Sequence, residues 1–121
     1  MSAKKDVLTV WDLSADEVRS LVQRAIALKS GADRMKCPLM GKSIGLFFEK
    51  PSTRTRVSFE VGVYQLGAQP VVLSPKDLQL GRGETIADTA RTLSRFLHGM
   101  VMRVFQHETV AEFAQHASIP V

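Results

Sequence analysis

The sequence predicts an α/β domain: a doubly wound, mostly parallel, four-stranded sheet with helices on both faces. Three observations carry that prediction. Short apolar runs at 42–48, 69–73 and 99–104 alternate with segments of helical periodicity. The first run places Ile44, Leu46, Phe47 and Phe48 in succession, apolar on both faces as in a buried parallel strand. Gly31, Pro51 and Gly67 fall where one pattern stops and the next begins.

The elements follow in order. Leu8 to Leu13 is a short apolar entry. Ser14 followed by Glu17 is a capping-box pattern that opens a helix over 15–30, with Leu13, Val18, Leu21, Val22, Ala25, Ile26 and Leu28 at helical spacing and Gly31 as the stop. A polar loop with Pro38 and Gly41 leads to the first strand, which Pro51 ends. Ser52 is placed to cap a second helix over 53–66, with Val57, Val61 and Tyr64 on one face and Gly67 closing it. Gln69 to Leu73 reads as a second strand and Ser74 to Glu84 as a loop. Thr85 to Leu97 reads as a third helix with Ile86, Ala90, Leu93 and Leu97 at core spacing. Gly99 to Val104 reads as a third strand, with Met100 and Met102 in the core, and Glu108 to Ala117 as a fourth helix. Ile119-Pro-Val121 begins a fourth strand.

Right-handed crossovers favour the spatial order second, first, third, fourth strand. In such sheets ligands bind beyond the carboxyl ends of the strands, where the order reverses. That point lies between the first and third strands, so Ser52 to Thr55, just past the first, and Arg103, at the end of the third, are expected to share a crevice.

Composition narrows the function. The chain has 121 residues, 45% hydrophobic and 23% charged, as expected for one globular domain spanning 1–121. No apolar run approaches the roughly 20 residues needed to cross a membrane, and Met1 to Asp6 lacks a signal-peptide pattern, so a cytoplasmic location is expected. The single cysteine, Cys37, allows neither an intramolecular disulfide nor a thiol metal cluster, and reads as a small packing residue. Net charge is +4 and the isoelectric point about 9.6. The bases are dispersed and do not alternate with aromatics, which argues against nucleic acid. A small polyanion accounts for the positive charge equally well.

The chemistry concentrates in Ser52, Thr53, Arg54, Thr55 and Arg56. A helix start leaves up to four N–H groups unpaired and carries about half a positive charge. Hydroxyls add neutral donors, and a planar guanidinium binds two oxygens at once. This set directly after a buried strand suits a phosphate. An ordinary solvated cap is the bland alternative, and the Gly-rich spacing of a Walker loop is missing. Arg56 is four residues from Glu60, so a helix pair competes with a ligand role. Glu49 is read as orienting Arg54, and Lys50 as solvated. A surface charge is the competing reading of Arg103.

The run 47–60 resembles the carbamoyl-phosphate motif of the aspartate/ornithine carbamoyltransferase family, with Glu49-Lys50 before Pro51 worded as in the ornithine branch. The resemblance continues through Gln79 to Glu84, Asp88 to Arg91 and Met102 to Glu108, and so covers nearly the whole chain. It implies the carbamoyl-phosphate-binding half of a transferase that converts ornithine to citrulline in arginine biosynthesis, with the acceptor-binding domain absent. It implies that Ser52, Thr53, Arg54 and Thr55 contact carbamoyl phosphate, that Arg103 polarises the carbonyl, and that Arg54, Thr55 and Arg103 are the catalytic set. It further implies a homotrimer in which the 74–84 loop reaches a neighbouring subunit. Gln79 matches the position completing the neighbour's site; Arg82 is a weaker match, and a solvated loop is the alternative.

No metal or organic cofactor is implied. Asp88 and Arg91 read as a helix pair or subunit contact. His98 and His116 receive no role, and His107 has no partner for a metal site. Two alternatives remain: a carbamoyltransferase for another amine such as aspartate, or a non-catalytic anion-binding or assembly module. The fragment alone is expected to be inactive.

Overall fold

The computed structural model describes residues 3–32, 36–78, 80 and 83–121. Three parallel strands form the sheet: β1 (Ser43–Phe48), β2 (Gln69–Leu73) and β3 (Gly99–Arg103), in the order β2-β1-β3. Helix α1 (Ala15–Ser30) precedes β1, α2 (Thr53–Gln65) links β1 to β2, α3 (Ile86–Ser94) links β2 to β3, and α4 (His107–His116) follows β3. The chain steps outward from β1 to β2, then back across β1 to β3. With right-handed crossovers that reversal sends α2 and α3 to opposite faces, and the core divides accordingly. Leu46 and Phe48 pack with Val63 of α2 and Ala68 on one face. Phe47 packs with Ala90 and Leu97, Met100 and Phe113 on the other. Consecutive β1 residues thus feed two cores, which explains the unbroken apolar run.

Register carries the site. Phe47 stands opposite Leu73 of β2, and Phe48 opposite Arg103 of β3. Glu49 continues the second ladder by donating its N–H to the Arg103 carbonyl at 2.8 Å. The ends of β1 and β3 therefore finish side by side.

The expected fourth strand does not form. Ile119 is buried and the Pro120 carbonyl accepts from Met100 N–H at 2.9 Å, but no ladder develops. Pro120 has no N–H to give. The extended segment before α1 partners the chain there: Val7 N–H donates to the Val121 carbonyl at 2.8 Å, and Val121 N–H donates to Asp6 Oδ1 at 2.9 Å.

The apolar stripes of the first two helices are exposed. Helix α1 has the anticipated bounds and both ends of the anticipated chemistry, a Ser14–Glu17 capping box and Gly31 at φ +88°, yet it buries no residue. Val18, Leu21, Val22 and Ile26 face solvent. On α2 the Val57, Val61 and Tyr64 stripe is also outward, with Tyr64 73% exposed, because Val63 is the residue that turns to the sheet. The entry segment forms a 3-10 turn, Val10–Asp12, capped by Thr9 and Asp12 and leaving Trp11 91% exposed. Cys37 is exposed rather than packed.

With no buried face, α1 owes its helicity to local terms. Hydrogen bonds from Lys5 and from Ser14 N–H hold the Glu17 carboxyl below its ordinary range. A lowered carboxylate pKa contributes stability above the unfolded value and loses it as pH falls through the folded value. Ser14→Ala is expected to speed amide exchange in the first turn of α1 about fivefold at neutral pH, the cost of one lost cap. Acidification below the ordinary carboxylate range should lower protection there in the wild type, measured relative to the slower intrinsic exchange at that pH, while β1 amides stay protected.

Gly67 closes α2 at φ +96°, where a Cβ would lie 2.9 Å from Cys37 Cβ and 3.2 Å from the Met40 backbone. Gly67→Ala is expected to lower unfolding stability by roughly 1–2 kcal/mol, through an unfavourable φ and a contact with backbone that cannot swing aside. Urea denaturation measures it.

Candidate functional site

Beyond the carboxyl ends of β1 and β3 lies an open depression of about 590 Å³ lined by Pro51, Ser52, Thr53, Arg54, Thr55 and Arg103. Pro51 interrupts the β1 backbone pattern. Ser52 follows in an extended conformation, φ −158° and ψ 95°, and α2 begins at Thr53. The first helical bond is Arg56 N–H to the Ser52 carbonyl, 3.1 Å. The N–H groups of Thr53, Arg54 and Thr55 come before it and have no partner among the described residues.

Ser52 occupies the N-cap position but its hydroxyl makes no cap bond. Elsewhere Thr9, Ser14 and Thr85 each accept from a backbone N–H of the turn they open. The start of α2 thus keeps hydroxyl and amide donors uncommitted, beside the positive end of the helix dipole. Arg54 and Arg103 add two exposed guanidiniums, neither with an ion-pair partner among the described residues. Such a collection of donors and cations suits a dianion with several oxygens.

Arg56 is committed elsewhere. Its Nη1 lies 3.2 Å from Glu60 Oε2, an i,i+4 pair along α2. Glu49 does not orient Arg54. Its Oε1 accepts from Phe105 N–H at 3.0 Å, in the loop after β3. Lys50 is not simply solvated either, since its Nζ sits 5.4 Å from the Phe105 ring centroid. Nothing along the sequence pointed to Phe105, because the contact depends on the register of two strands far apart in the chain.

Gln79 and Arg82 lie outside the described residues, so the expected loop contribution has no geometry here. The loop does start with a defined turn. Asp77 accepts from Ser74 N–H at 3.0 Å and from Ser74 Oγ at 2.9 Å, and these bonds hold its carboxyl below the usual range. Asp88 and Arg91 pair at 3.4 Å on α3. Arg91 also reaches His116 Nδ1 of α4 at 3.2 Å, a contact that assigns His116 a place between helices. His98 accepts from Ser43 N–H through Nδ1 at 3.1 Å, at the opposite end of the sheet from the depression. No group of three potential metal ligands occurs among the described residues, and none of their helices is long and apolar enough to cross a membrane.

The profile of the family described as aspartate/ornithine carbamoyltransferase, carbamoyl-P binding domain, matches residues 5–121. The chain belongs to this family. Among curated carbamoyltransferase relatives, the ornithine carbamoyltransferase of Syntrophus aciditrophicus is 51% identical over 120 residues, covering 98% of this chain and 40% of the relative. That of Methanocorpusculum labreanum is 52% identical over 123 residues, covering 98% and 39%. Among solved structures, the anabolic ornithine carbamoyltransferase of Campylobacter jejuni superposes with a TM-score of 0.90 at 44% identity, over 97% of this chain and 38% of that one. The chain thus spans about two-fifths of the length of the carbamoyltransferases it matches.

The Arg56–Glu60 pair gives a test of which guanidiniums serve the helix. Glu60→Gln is expected to lower unfolding stability by about 0.3–0.5 kcal/mol, the usual worth of an exposed i,i+4 pair, and to leave phosphate affinity within about twofold by titration calorimetry. A large loss of phosphate affinity would return Arg56 to the site.

Proposed function

We propose that these 121 residues are the carbamoyl-phosphate-binding half of an ornithine carbamoyltransferase, which transfers the carbamoyl group to the δ-amine of ornithine and releases citrulline and phosphate. The observation that carries the reading is the depression in which Ser52, Thr53, Arg54, Thr55 and Arg103 converge, in a chain matching the carbamoyl-P binding domain from residue 5 to 121. The ornithine acceptor is supported by the names of relatives about half identical to it. A role in arginine biosynthesis and a cytoplasmic setting belong to the same proposal and rest on likeness to the ornithine branch.

The roles follow from the chemistry. The phosphate group sits at the start of α2, held by Ser52, Thr53 and Thr55 and by Arg54. Arg103 faces the carbonyl. The amine attacks the carbonyl carbon, a C–N bond forms and the carbonyl oxygen takes up negative charge. The oxyanion then collapses to restore the carbonyl, the C–O bond to phosphate breaks, and the proton of the attacking nitrogen passes to the departing phosphate. Arg54, Thr55 and Arg103 stabilise charge where it develops, on the oxyanion and on the leaving phosphate. Attack by an external amine requires no protein nucleophile. Gln79 completes the site from a neighbouring copy in this reading. A trimer is supported by the apolar Val57, Val61 and Tyr64 face left open on α2.

The acceptor determinants are not assigned to any of these residues, since most of each relative's length has no counterpart in them. The 121 residues alone are therefore expected to bind carbamoyl phosphate without making citrulline. Titration calorimetry should show binding by the wild type and a loss of about tenfold or more for Arg54→Ala, the scale of removing a charge-assisted bidentate contact. Equal affinity of the two proteins would overturn the site, and citrulline formation by the unaided chain would overturn the division of labour.

A further inference from the structure

We propose that Glu49 is a positioning residue that sets Arg103 relative to the start of α2, and so governs how the site distinguishes carbamoyl phosphate from inorganic phosphate; this rests on the function proposed above. Glu49 is the residue at which β1 leaves the sheet, three positions before Ser52. It holds the other wall of the depression at two points. Its N–H donates to the Arg103 carbonyl at 2.8 Å, and its Oε1 accepts from Phe105 N–H at 3.0 Å. One residue therefore pins the backbone at Arg103 and again two residues later. Lys50 adds a third tie by lying over the Phe105 ring, 5.4 Å from its centroid.

The three ties join segments 50 or more residues apart in sequence. Without the side-chain bond, the turn between Arg103 and α4 keeps the strand ladder behind it and the exposed Lys50 contact on Phe105. Phe105 is 62% exposed, so packing alone does not hold this turn. The donors at the start of α2 belong to the other wall, and loosening the turn leaves them in place. The two walls make different demands on a ligand: the α2 side meets phosphate oxygens, while Arg103 meets the carbonyl. A looser turn thus penalises the ligand that has a carbonyl and spares the one that lacks it. The signature is a change in the ratio of two affinities, which general destabilisation does not produce.

The test compares wild type, Glu49→Ala and Glu49→Gln by titration calorimetry with carbamoyl phosphate and with inorganic phosphate, alongside amide exchange at Phe105. Glutamine keeps an oxygen that accepts from Phe105 N–H, and its lost charge acts on both anions alike. Glu49→Ala is expected to reduce the ratio of carbamoyl-phosphate to phosphate affinity about tenfold, the effect of one misplaced charge-assisted contact, and to speed exchange of Phe105 N–H. Glu49→Gln should keep the wild-type ratio and slow exchange. An unchanged ratio in Glu49→Ala, or an equal loss of both ligands, overturns the inference. Failure of the wild type to bind carbamoyl phosphate overturns the proposed function and this inference with it, a result distinct from the unchanged ratio.

Discussion

The parallel pairing of β1 with β3 is the constraint on which the rest depends. It aligns Phe48 with Arg103, and through the next rung it aligns Glu49 with the same residue. Parallel neighbours point their carboxyl ends the same way, so two loops emerge together with no further instruction. β1 can hold that central position because it satisfies both faces at once. Leu46, Phe47 and Phe48 are each under a tenth exposed, and they alternate between two separate cores. A polar side chain at any of the three would leave an unpaired group inside one core.

Around that ladder, the polar groups fall into two kinds. Some are spent on structure: Arg56 on Glu60, Arg91 on Asp88 and His116, Glu49 on Phe105. Others have no partner among the described residues, as is the case for the Ser52 hydroxyl and the guanidiniums of Arg54 and Arg103. The second kind is costly to fold around. Two like charges at one depression repel, and uncapped helix amides forgo a bond worth about 1 kcal/mol. The chain tolerates this because the depression is open to water, which solvates the donors.

Much of this was legible in the sequence because it rests on local rules. Alternation of apolar runs with helical periodicity located all three strands and all four main helices, and Gly31 and Gly67 stop their helices with the positive φ that glycine permits. The convergence of Arg103 on Ser52 to Thr55 also followed, since strand order and crossover hand determine which loops meet. What sequence reasoning missed depends on what lies opposite a residue. Periodicity says that Val57, Val61 and Tyr64 share a face, but not that Val63 is the one turned inward. The same ambiguity applies to α1, whose apolar stripe has the spacing of a core helix and meets no core among the described residues. At the expected fourth strand a single rung to β3 forms, Met100 N–H to the Pro120 carbonyl, and Pro120 has no N–H to add another. Glu49 was misassigned because Arg54, a cation close by in sequence, matters less to it than an amide 56 positions away.

The tie between the segment before α1 and the end of the described chain has a kinetic meaning. Asp6 and Val121 are bonded across 115 positions, among the longest loops this chain can close. Contacts of that span form after shorter ones, because the entropy of closure must be met before they add stability. They also cover the outer edge of the 119–121 segment, which itself lies against β3 at Met100, a place where open backbone would otherwise be offered to another molecule. During folding that edge stays bare until the two distant segments meet. The interval before they do is when this domain is most exposed to pairing with the wrong partner.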